Sequence, residues 1–407
     1  MQVNQTMQAP ERERGYMPLS GLLFMALFSV LLIIHCIENT SLIYSDVSWM
    51  NWVYFLKKGV YLVLIVKILF FSSYSRNELI ALGVILVIAF ASFVGSGDFG
   101  LFELFLLAIA AKKVEPRTIV SCFLVIKGLA IVFTLLFWKI GLIPMLYYRN
   151  GSGFYNTFGF CHRNVLGANI AILCLAWFFL RYQKLKLADV VLWVAIGFGM
   201  YRLIYSRSSL AVVLLVSVCV YLFRRMERML LNIRNIRPIV LCAFLALLIL
   251  SLICMVCYSK SSTFWTALDR LFTTRLSSAN YCYREFGLTL FGQTIPFVSS
   301  LQAQILQISK LILDNAYCRA ILYYGMIPAA MFFFLYGKLL KHSFEKKDGA
   351  LLISLLLLAV YGLSERYMMD AYYQFPFVAA FQYLGSVQME RTEKKRSRIS
   401  FQLRKTE

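Results

Sequence analysis

The chain has 407 residues, of which 60% are hydrophobic and 15% are charged, and its formal net charge is +21. Soluble domains contain roughly 45–50% apolar and about 25% charged residues, so this composition excludes a soluble enzyme or binding module. The apolar residues form blocks of roughly 17–23 residues, which suit helices across a bilayer core and lack the period-two alternation of a membrane β-barrel.

The blocks predict an all-α polytopic membrane protein, with about twelve transmembrane helices in one integral membrane domain over residues 1–407. The predicted spans are 19–37, 52–71, 78–94, 99–111, 117–138, 165–180, 187–205, 208–223, 238–258, 316–336, 350–363 and 370–387. The fourth and eleventh are short enough to be partly re-entrant. The first span reads as a retained helix rather than a cleaved signal peptide.

Basic residues cluster in alternate loops. They lie at 112–117, 181–186, 224–237 and 338–347 and in the tail, 389–407. This asymmetry predicts that both termini are cytoplasmic, which agrees with an even number of spans. We expect the basic tail to rest against anionic lipid headgroups rather than to bind nucleic acid.

Two long loops, 139–164 and 259–315, fall on the predicted outer side, and long loops in compact proteins are often functional. The first contains GFCHRNVLG, in which His162 is the only one of three histidines placed in an outer polar loop. Imidazole titrates near neutral pH, so His162 is a candidate general base for a hydroxyl. The alternative is a structural histidine with satisfied hydrogen bonds.

The second loop carries apolar residues at three- and four-residue spacing over 264–286. This pattern predicts an amphipathic helix along the membrane surface, ended by Gly287. On such a helix Arg270 and Arg284 would lie within about 40° of each other.

Polar residues also follow the second loop. An amphipathic stretch, 297–313, leads to Asp314 and Asn315, which we expect to cap the tenth span. Glu365 and Arg366 are adjacent in LSERYMMD, and their simplest interpretation is a pair with each other. In the alternative, Glu365 orients another arginine or a sugar hydroxyl.

Arginines on the outer side run against the cytoplasmic bias of basic residues. They are Arg149, Arg163, Arg202, Arg207, Arg270, Arg275, Arg284 and Arg366. A guanidinium matches two phosphate oxygens, so converging arginines indicate an anionic ligand with phosphates at membrane level. The alternative for any one of them is a headgroup anchor or a salt bridge.

Motifs for nucleotides and metals are missing from the sequence. No Gly-rich loop precedes Lys-Ser or Lys-Thr, no DxD-like acidic pair lies in an outer loop, and no histidine completes a zinc site at Cys254 and Cys257. We therefore expect no cofactor and no metal, and a donor substrate that carries its own leaving group.

Several segments together resemble the Wzy-type polymerases of O-antigen and capsule repeat units. GFCHRNVLG is similar to their Gly-Phe-Gly-His-Pro-Asn segment and YSRSSL to their Ser-Arg-Thr-Gly segment. LDRLFTTRLSSANYCYREFGLTLFGQTI and LDNAYCRAILYYGMI are similar to the family's outer loop and Asp-Asn-x-Tyr helix entry. The resemblance covers about 151–384, and Cys161, Arg163, Ser208 and Ser209 depart from the family pattern.

The resemblance implies a GT-C-like fold and a metal-independent glycosyltransferase in the bacterial cytoplasmic membrane. Its substrate would be a polyprenyl-pyrophosphate-linked oligosaccharide, with the growing chain transferred on the outer face to a hydroxyl of the next unit. A chain-length regulator and a flippase of the same pathway are the protein partners that the family implies.

For catalysis we expect His162 to orient or deprotonate the acceptor hydroxyl, with Glu365 as a weaker candidate for that task. Arg207 and Arg275 are expected to hold the diphosphate. The substrate-binding candidates are Arg163, Asn164, Arg202, Arg270, Arg284, Asp314, Asn315 and Tyr317. Asn164 and Asn315 suit sugar hydroxyls and helix caps equally well.

Two other functions stay open. An O-antigen-ligase-type transferase would use the same donor chemistry on a different acceptor. A lipid-linked-oligosaccharide flippase or another transporter would show internal repeats and interrupted spans with charges near the midplane. The sequence shows no repeat, and its polar groups concentrate in the two outer loops, which favours surface chemistry.

Overall fold

The computed structural model describes residues 17–44, 48–150, 153–233 and 236–384, with the backbone alone at 148–150, 153–155, 301, 304 and 305. The basic tail, 389–407, lies outside the described residues. The α-helices are α1 (Leu19–Glu38), α2 (Trp49–Phe70), α3 (Arg76–Ser96), α4 (Gly100–Ala110), α5 (Pro116–Lys139), α6 (Arg163–Arg181), α7 (Leu187–Ile204), α8 (Arg207–Asn232), α9 (Ile236–Cys257), α10 (Thr263–Leu271), α11 (Arg275–Phe286), α12 (Ser300–Leu306), α13 (Ala316–Arg319), α14 (Met326–Glu345), α15 (Gly349–Tyr361) and α16 (Phe375–Ala380).

Seven helices of the described chain are long and apolar enough to cross a membrane, so this is a multi-pass membrane protein. They are α1, α3, α5, α6 with the turn that follows it, α7, α8 and α9. They match the predicted spans one, three and five to nine. The two short predicted spans correspond to the apolar helices α4 and α15, which are too short to be counted among the seven. Helix α2 has the length to cross, but Lys57, Lys58 and Lys67 keep it outside the apolar set.

The described chain is helical apart from a small β-hairpin and isolated bridges. Strands β1 (Tyr147–Asn150) and β2 (Gly153–Asn156) pair antiparallel within the first outer loop. The centre of the bundle consists of α4, α6, α15 and α16, whose residues are mostly buried. Helices around them expose large apolar side chains, as a bilayer-facing surface requires; Phe70 and Val87 are 77% and 69% exposed.

The predicted tenth span is not one continuous helix. Helix α13 passes into a π-helical turn, and the chain breaks at Gly325 before α14 begins. Gly325 has φ of 96°, and an added Cβ would clash with the backbone nitrogen of Gly292. The prediction failed because the loop before α12 packs its backbone directly against this position, which only glycine permits.

The predicted last span, 370–387, also differs. Up to residue 384 it contains a turn followed by α16. This helix has Pro376 in its first turn, and all its residues are buried. The sequence signal was apolar composition, which a buried core segment shares with a transmembrane helix.

The single amphipathic helix predicted over 264–286 is wrong. Thr273 and Thr274 adopt positive φ and separate α10 from α11. The buried carboxylate of Asp269 accepts hydrogen bonds from the backbone N–H groups of Leu276 and Ser277, at 2.9 and 3.1 Å. This side chain competes with helix continuation, so Arg270 and Arg284 do not share a helix face. The helix end at Gly287 is confirmed.

We predict that Gly325→Ala destabilises the protein by about 2–4 kcal/mol, because it combines positive-φ strain with a backbone clash. Gly337→Ala in α14 is the matched control, since nothing lies within 4 Å of an added Cβ there. Thermal unfolding in detergent measures both. Equal midpoints for the two variants would contradict the break at Gly325.

Candidate functional site

Segments far apart in the chain meet at the carboxylate of Glu365. The Ser208 hydroxyl donates to its Oε1 at 2.8 Å, and Nη2 of Arg275 donates to the same oxygen at 3.0 Å. The same Nη2 lies 3.7 Å from Oδ2 of Asp314. These four residues, here called the Glu365 cluster, bring together YSRSSL, the second outer loop, LDNAY and LSER.

Each member of the cluster lies at or next to the start of a helical element. Ser208 is in the first turn of α8 and Arg275 is the first residue of α11. Glu365 precedes the 3₁₀ turn Arg366–Met369. Asp314 precedes the N-cap of α13. The N–H groups and dipoles of α8 and α11 therefore add positive potential where these two helices begin.

Asp314 is not the helix cap that the sequence predicted. Asn315 caps α13, because its Oδ1 accepts from the backbone N–H of Cys318 at 3.0 Å. Its Nδ2 donates to Ser251 and to the carbonyl of Leu363. Asn315 is therefore committed to the structure, and Asp314 is left to pair with Arg275.

The Glu365 carboxyl is 4% exposed, and its environment shifts its ionisation. Burial, and next the negative charge of Asp314, raise the pKa of Glu365 to about 7. The cation of Arg275 and the Ser208 hydroxyl oppose this shift. One arginine serves two carboxylates here, so the attraction does not offset desolvation. A carboxyl with such a pKa can exchange a proton near neutral pH.

Glu365 and Arg366 do not pair with each other, contrary to the simplest sequence interpretation. Glu365 has an extended backbone, with φ −142° and ψ 146°, and successive side chains on extended backbone point to opposite sides. Glu365 is buried while Arg366 is exposed. Arg366 forms no ion pair or side-chain hydrogen bond within the described part of the chain.

Arg366 nevertheless lies among the charges of the site. Its guanidinium interacts electrostatically with Asp314 and Asp370 and lowers the pKa of His162. From the sequence, Arg366 is one of the outer arginines but not one of the catalytic or substrate-binding candidates, because the adjacent opposite charges suggest a self-contained pair. The signal that could have found it is the alternation expected of a short extended segment between two helices.

His162 is the N-cap of α6. Its Nδ1 accepts from the backbone N–H of Asn164 at 3.1 Å, so the proton of a neutral ring sits on Nε2. Burial, and next Arg163, Arg366 and Lys310, lower the pKa of His162 to about 4. At neutral pH this imidazole is therefore uncharged, with its proton on Nε2 rather than on Nδ1.

The loop before His162 is attached to the end of α1. Cys161 donates its backbone N–H to Asn39 at 2.9 Å, and Gly159 accepts from Ser41 at 2.9 Å. Gly159 has φ of 81°, and an added Cβ would lie 2.8 Å from Trp138. These contacts fix the position of the loop that leads to His162.

The other predicted site residues divide into two groups. Arg202, Arg207, Arg270 and Arg284 are exposed, and no ion pair joins them to the Glu365 cluster among the described residues. Tyr317 is fully buried and donates to the carbonyl of Ala359 at 2.8 Å, which is a structural contact. Arg163 and Asn164 form the half-buried first turn of α6 beside His162.

Ionisable groups inside the bundle form a second polar region. Lys57 pairs with Glu38 at 2.9 Å, and Lys127 donates to Asn169 at 2.9 Å. Tyr61 and Tyr372 both donate to the buried carboxylate of Glu103. Each charge thus has a polar partner, as burial in a membrane protein demands.

Comparisons with known proteins give no match: no family model, curated protein or solved structure is significantly similar to this chain. The motif resemblance described above therefore stays a prediction.

Breaking the Glu365 cluster should destabilise the fold. We predict that Arg275→Ala costs about 3–5 kcal/mol at pH 8, because two carboxylates lose their shared cation. The ordinary pKa of Glu365 is 4.5 and its folded pKa is about 7, so the penalty for the carboxylate grows as pH rises through this window.

The loss should therefore shrink at pH 5, where Glu365 is protonated in the folded protein. Arg284→Ala removes an exposed arginine of the same helix and should change stability by less than about 0.5 kcal/mol. Thermal unfolding at both pH values measures this. A pH-independent loss would contradict the role of the Glu365 charge.

Proposed function

We propose that the protein polymerises polyprenyl-pyrophosphate-linked oligosaccharide repeat units into O-antigen or capsule on the outer face of the bacterial cytoplasmic membrane. The observation that carries this proposal is the Glu365 cluster. Ser208, Arg275 and Asp314 come from three of the motif segments, and they meet at one buried carboxylate. The fourth motif is linked to this region by charge alone: burial and Arg163, and then Arg366, lower the pKa of His162.

In the proposed reaction, Glu365 is the general base. Its carboxylate takes the proton of an acceptor hydroxyl while the hydroxyl oxygen attacks the anomeric carbon of the lipid-linked chain. The bond from that carbon to the pyrophosphate oxygen breaks, and the pyrophosphate leaves with the electron pair. A pKa of about 7 suits this task, since the group is partly ionised yet basic enough to accept a proton.

Arg275 takes a different role from the one expected of it. Its guanidinium already serves Glu365 and Asp314, so it is a positioning residue that orients the base. Arg366 is the better contact for the diphosphate, because it is exposed beside the cluster and no carboxylate of the described residues pairs with it. Arg207, exposed at the start of α8, is the second such contact. Both would stabilise charge on the leaving group.

His162 then acts as a neutral donor. An imidazole that keeps its proton on Nε2 can hold an oxygen of a sugar or of the diphosphate, and it cannot accept a proton there. The chemistry is independent of metal, with the lipid pyrophosphate supplying the driving force.

A transporter is the second candidate, and specific observations favour it. The chain is interrupted at Gly325, and charged groups such as Lys57, Glu103 and Lys127 lie within the bundle. Interrupted helices with internal charges occur in transporters. Purified protein that elongates lipid-linked units in detergent, where no compartment exists, would exclude transport as the whole function.

The pH profile of kcat/KM tests the base. We predict that activity rises as pH increases through about 7, because Glu365 must lose its proton before it can accept one. Glu365→Gln should lower turnover by about 10²–10⁴ while donor binding persists. In His162→Gln, kcat/KM should rise with pH over the same range as in wild type, since the pKa of His162 is about 4. Loss of this rise in His162→Gln would assign the base to histidine instead.

The diphosphate contact is tested by removing the exposed arginine. We predict that Arg366→Ala lowers polymer formation by about 10²–10³, with partial recovery in Arg366→Lys. Lys260→Ala, which removes an exposed cation of the second outer loop, is the control and should leave polymer unchanged. Polymer yield is measured with purified protein and lipid-linked repeat units. Wild-type yield from Arg366→Ala would remove this contact from the mechanism.

Analysis of the lipid-linked glycans in cells that lack this protein separates a polymerase from a ligase. Cells lacking a polymerase accumulate single lipid-linked units, whereas cells lacking a ligase accumulate full-length lipid-linked chains.

A further inference from the structure

A cavity of about 710 Å³ lies at the opposite end of the bundle from the Glu365 cluster. It is bounded by the α4–α5 turn, the α14–α15 turn and the residues that follow α16. Its volume falls within the range of about 300–1,000 Å³ that is typical of ligand sites. The turns that surround it belong to the basic loops, which the charge distribution predicts to be cytoplasmic.

The charge of the lining is positive. The lysines at the cavity are Lys112, Lys113, Lys346 and Lys347, and the carboxylates are Glu78 and Asp348. Both acids are already engaged. Glu78 bonds to Lys112 at 3.0 Å and to the backbone of Ser75 at 2.8 Å, and Asp348 caps α15 through the N–H of Leu351. Lys112 is neutralised by Glu78, whereas Lys113 and Lys347 donate to the uncharged side chains of Ser73 and Asn232. The lining therefore has two more lysines than carboxylates.

Specific side-chain contacts hold the walls of the cavity together. Gln382 joins two of them, because its side chain accepts from the N–H of Lys113 at 2.8 Å and donates to the carbonyl of Val114 at 2.7 Å. His342 stacks on Tyr383 with ring centroids 5.1 Å apart. These contacts fix the positions from which the lysines extend.

We infer that this cavity binds a phosphate-bearing anion and that its source is the headgroup of an anionic phospholipid in the adjoining leaflet. Basic pockets between helices on the cytoplasmic side recognise such headgroups. The cavity is far larger than a phosphate ion and has room for the polar part of a lipid. The chain's own tail is a poor occupant, since residues 385–407 carry seven Lys or Arg against three Glu.

The test uses full-length protein in nanodiscs of phosphatidylcholine, with or without phosphatidylglycerol. Native mass spectrometry counts the phosphatidylglycerol retained, and thermal unfolding gives the midpoint. Lys113→Ala with Lys347→Ala removes two cavity cations, and Lys347→Gln is the milder variant. Lys338→Ala, an exposed lysine of α14 outside the lining, is the control.

We expect wild type and Lys338→Ala to retain phosphatidylglycerol and to unfold at a higher midpoint when it is present. Each cavity lysine removed should lower affinity about fivefold. A separate arm adds inorganic phosphate to phosphatidylcholine nanodiscs. If phosphate stabilises wild type but not the double variant, the cavity binds the same chemical group from a soluble source. Equal retention and equal midpoints in wild type and both cavity variants would overturn the proposal.

Discussion

The ion pair between Arg275 and the buried carboxylate of Glu365 is the interaction on which the candidate site depends. It is formed by residues 90 positions apart, and Ser208, 157 positions from Glu365, joins the same oxygen. A buried charge without its partner is strongly destabilising. The second outer loop, the start of α8 and the segment after α15 must therefore stay together whenever Glu365 is ionised.

The extended backbone at Glu365 directs the adjacent side chains of Glu365 and Arg366 to opposite sides of the chain. The carboxylate turns into the protein, where burial and Asp314 raise its pKa to about 7, and the adjacent guanidinium of Arg366 turns outward. A self-paired Glu-Arg dipeptide would neutralise both groups and leave neither for chemistry. Because the backbone separates the two side chains, adjacent residues supply both the proposed base and the proposed anion contact.

Hydropathy predicted the membrane class and seven of the spans because bilayer thickness acts on each helix locally. The breaks were not predictable in the same way. Gly325 interrupts its helix because the loop at Gly292 packs against it, and Asp269 divides the amphipathic stretch through two backbone hydrogen bonds. Likewise the motifs named His162, Arg275 and Glu365 as candidates, but their partners depend on tertiary contacts between distant segments.

The distribution of cations follows one physical rule across the molecule. Inside the bundle every charge described above has a polar partner, as between Lys57 and Glu38, because an unpaired charge there is costly. Arg366 is exposed and pairs with no carboxylate in the described part of the chain, at the end that carries the Glu365 cluster. At the other end, the cavity is lined by four lysines and two carboxylates. An anionic ligand at each end would complete the compensation that the interior already has.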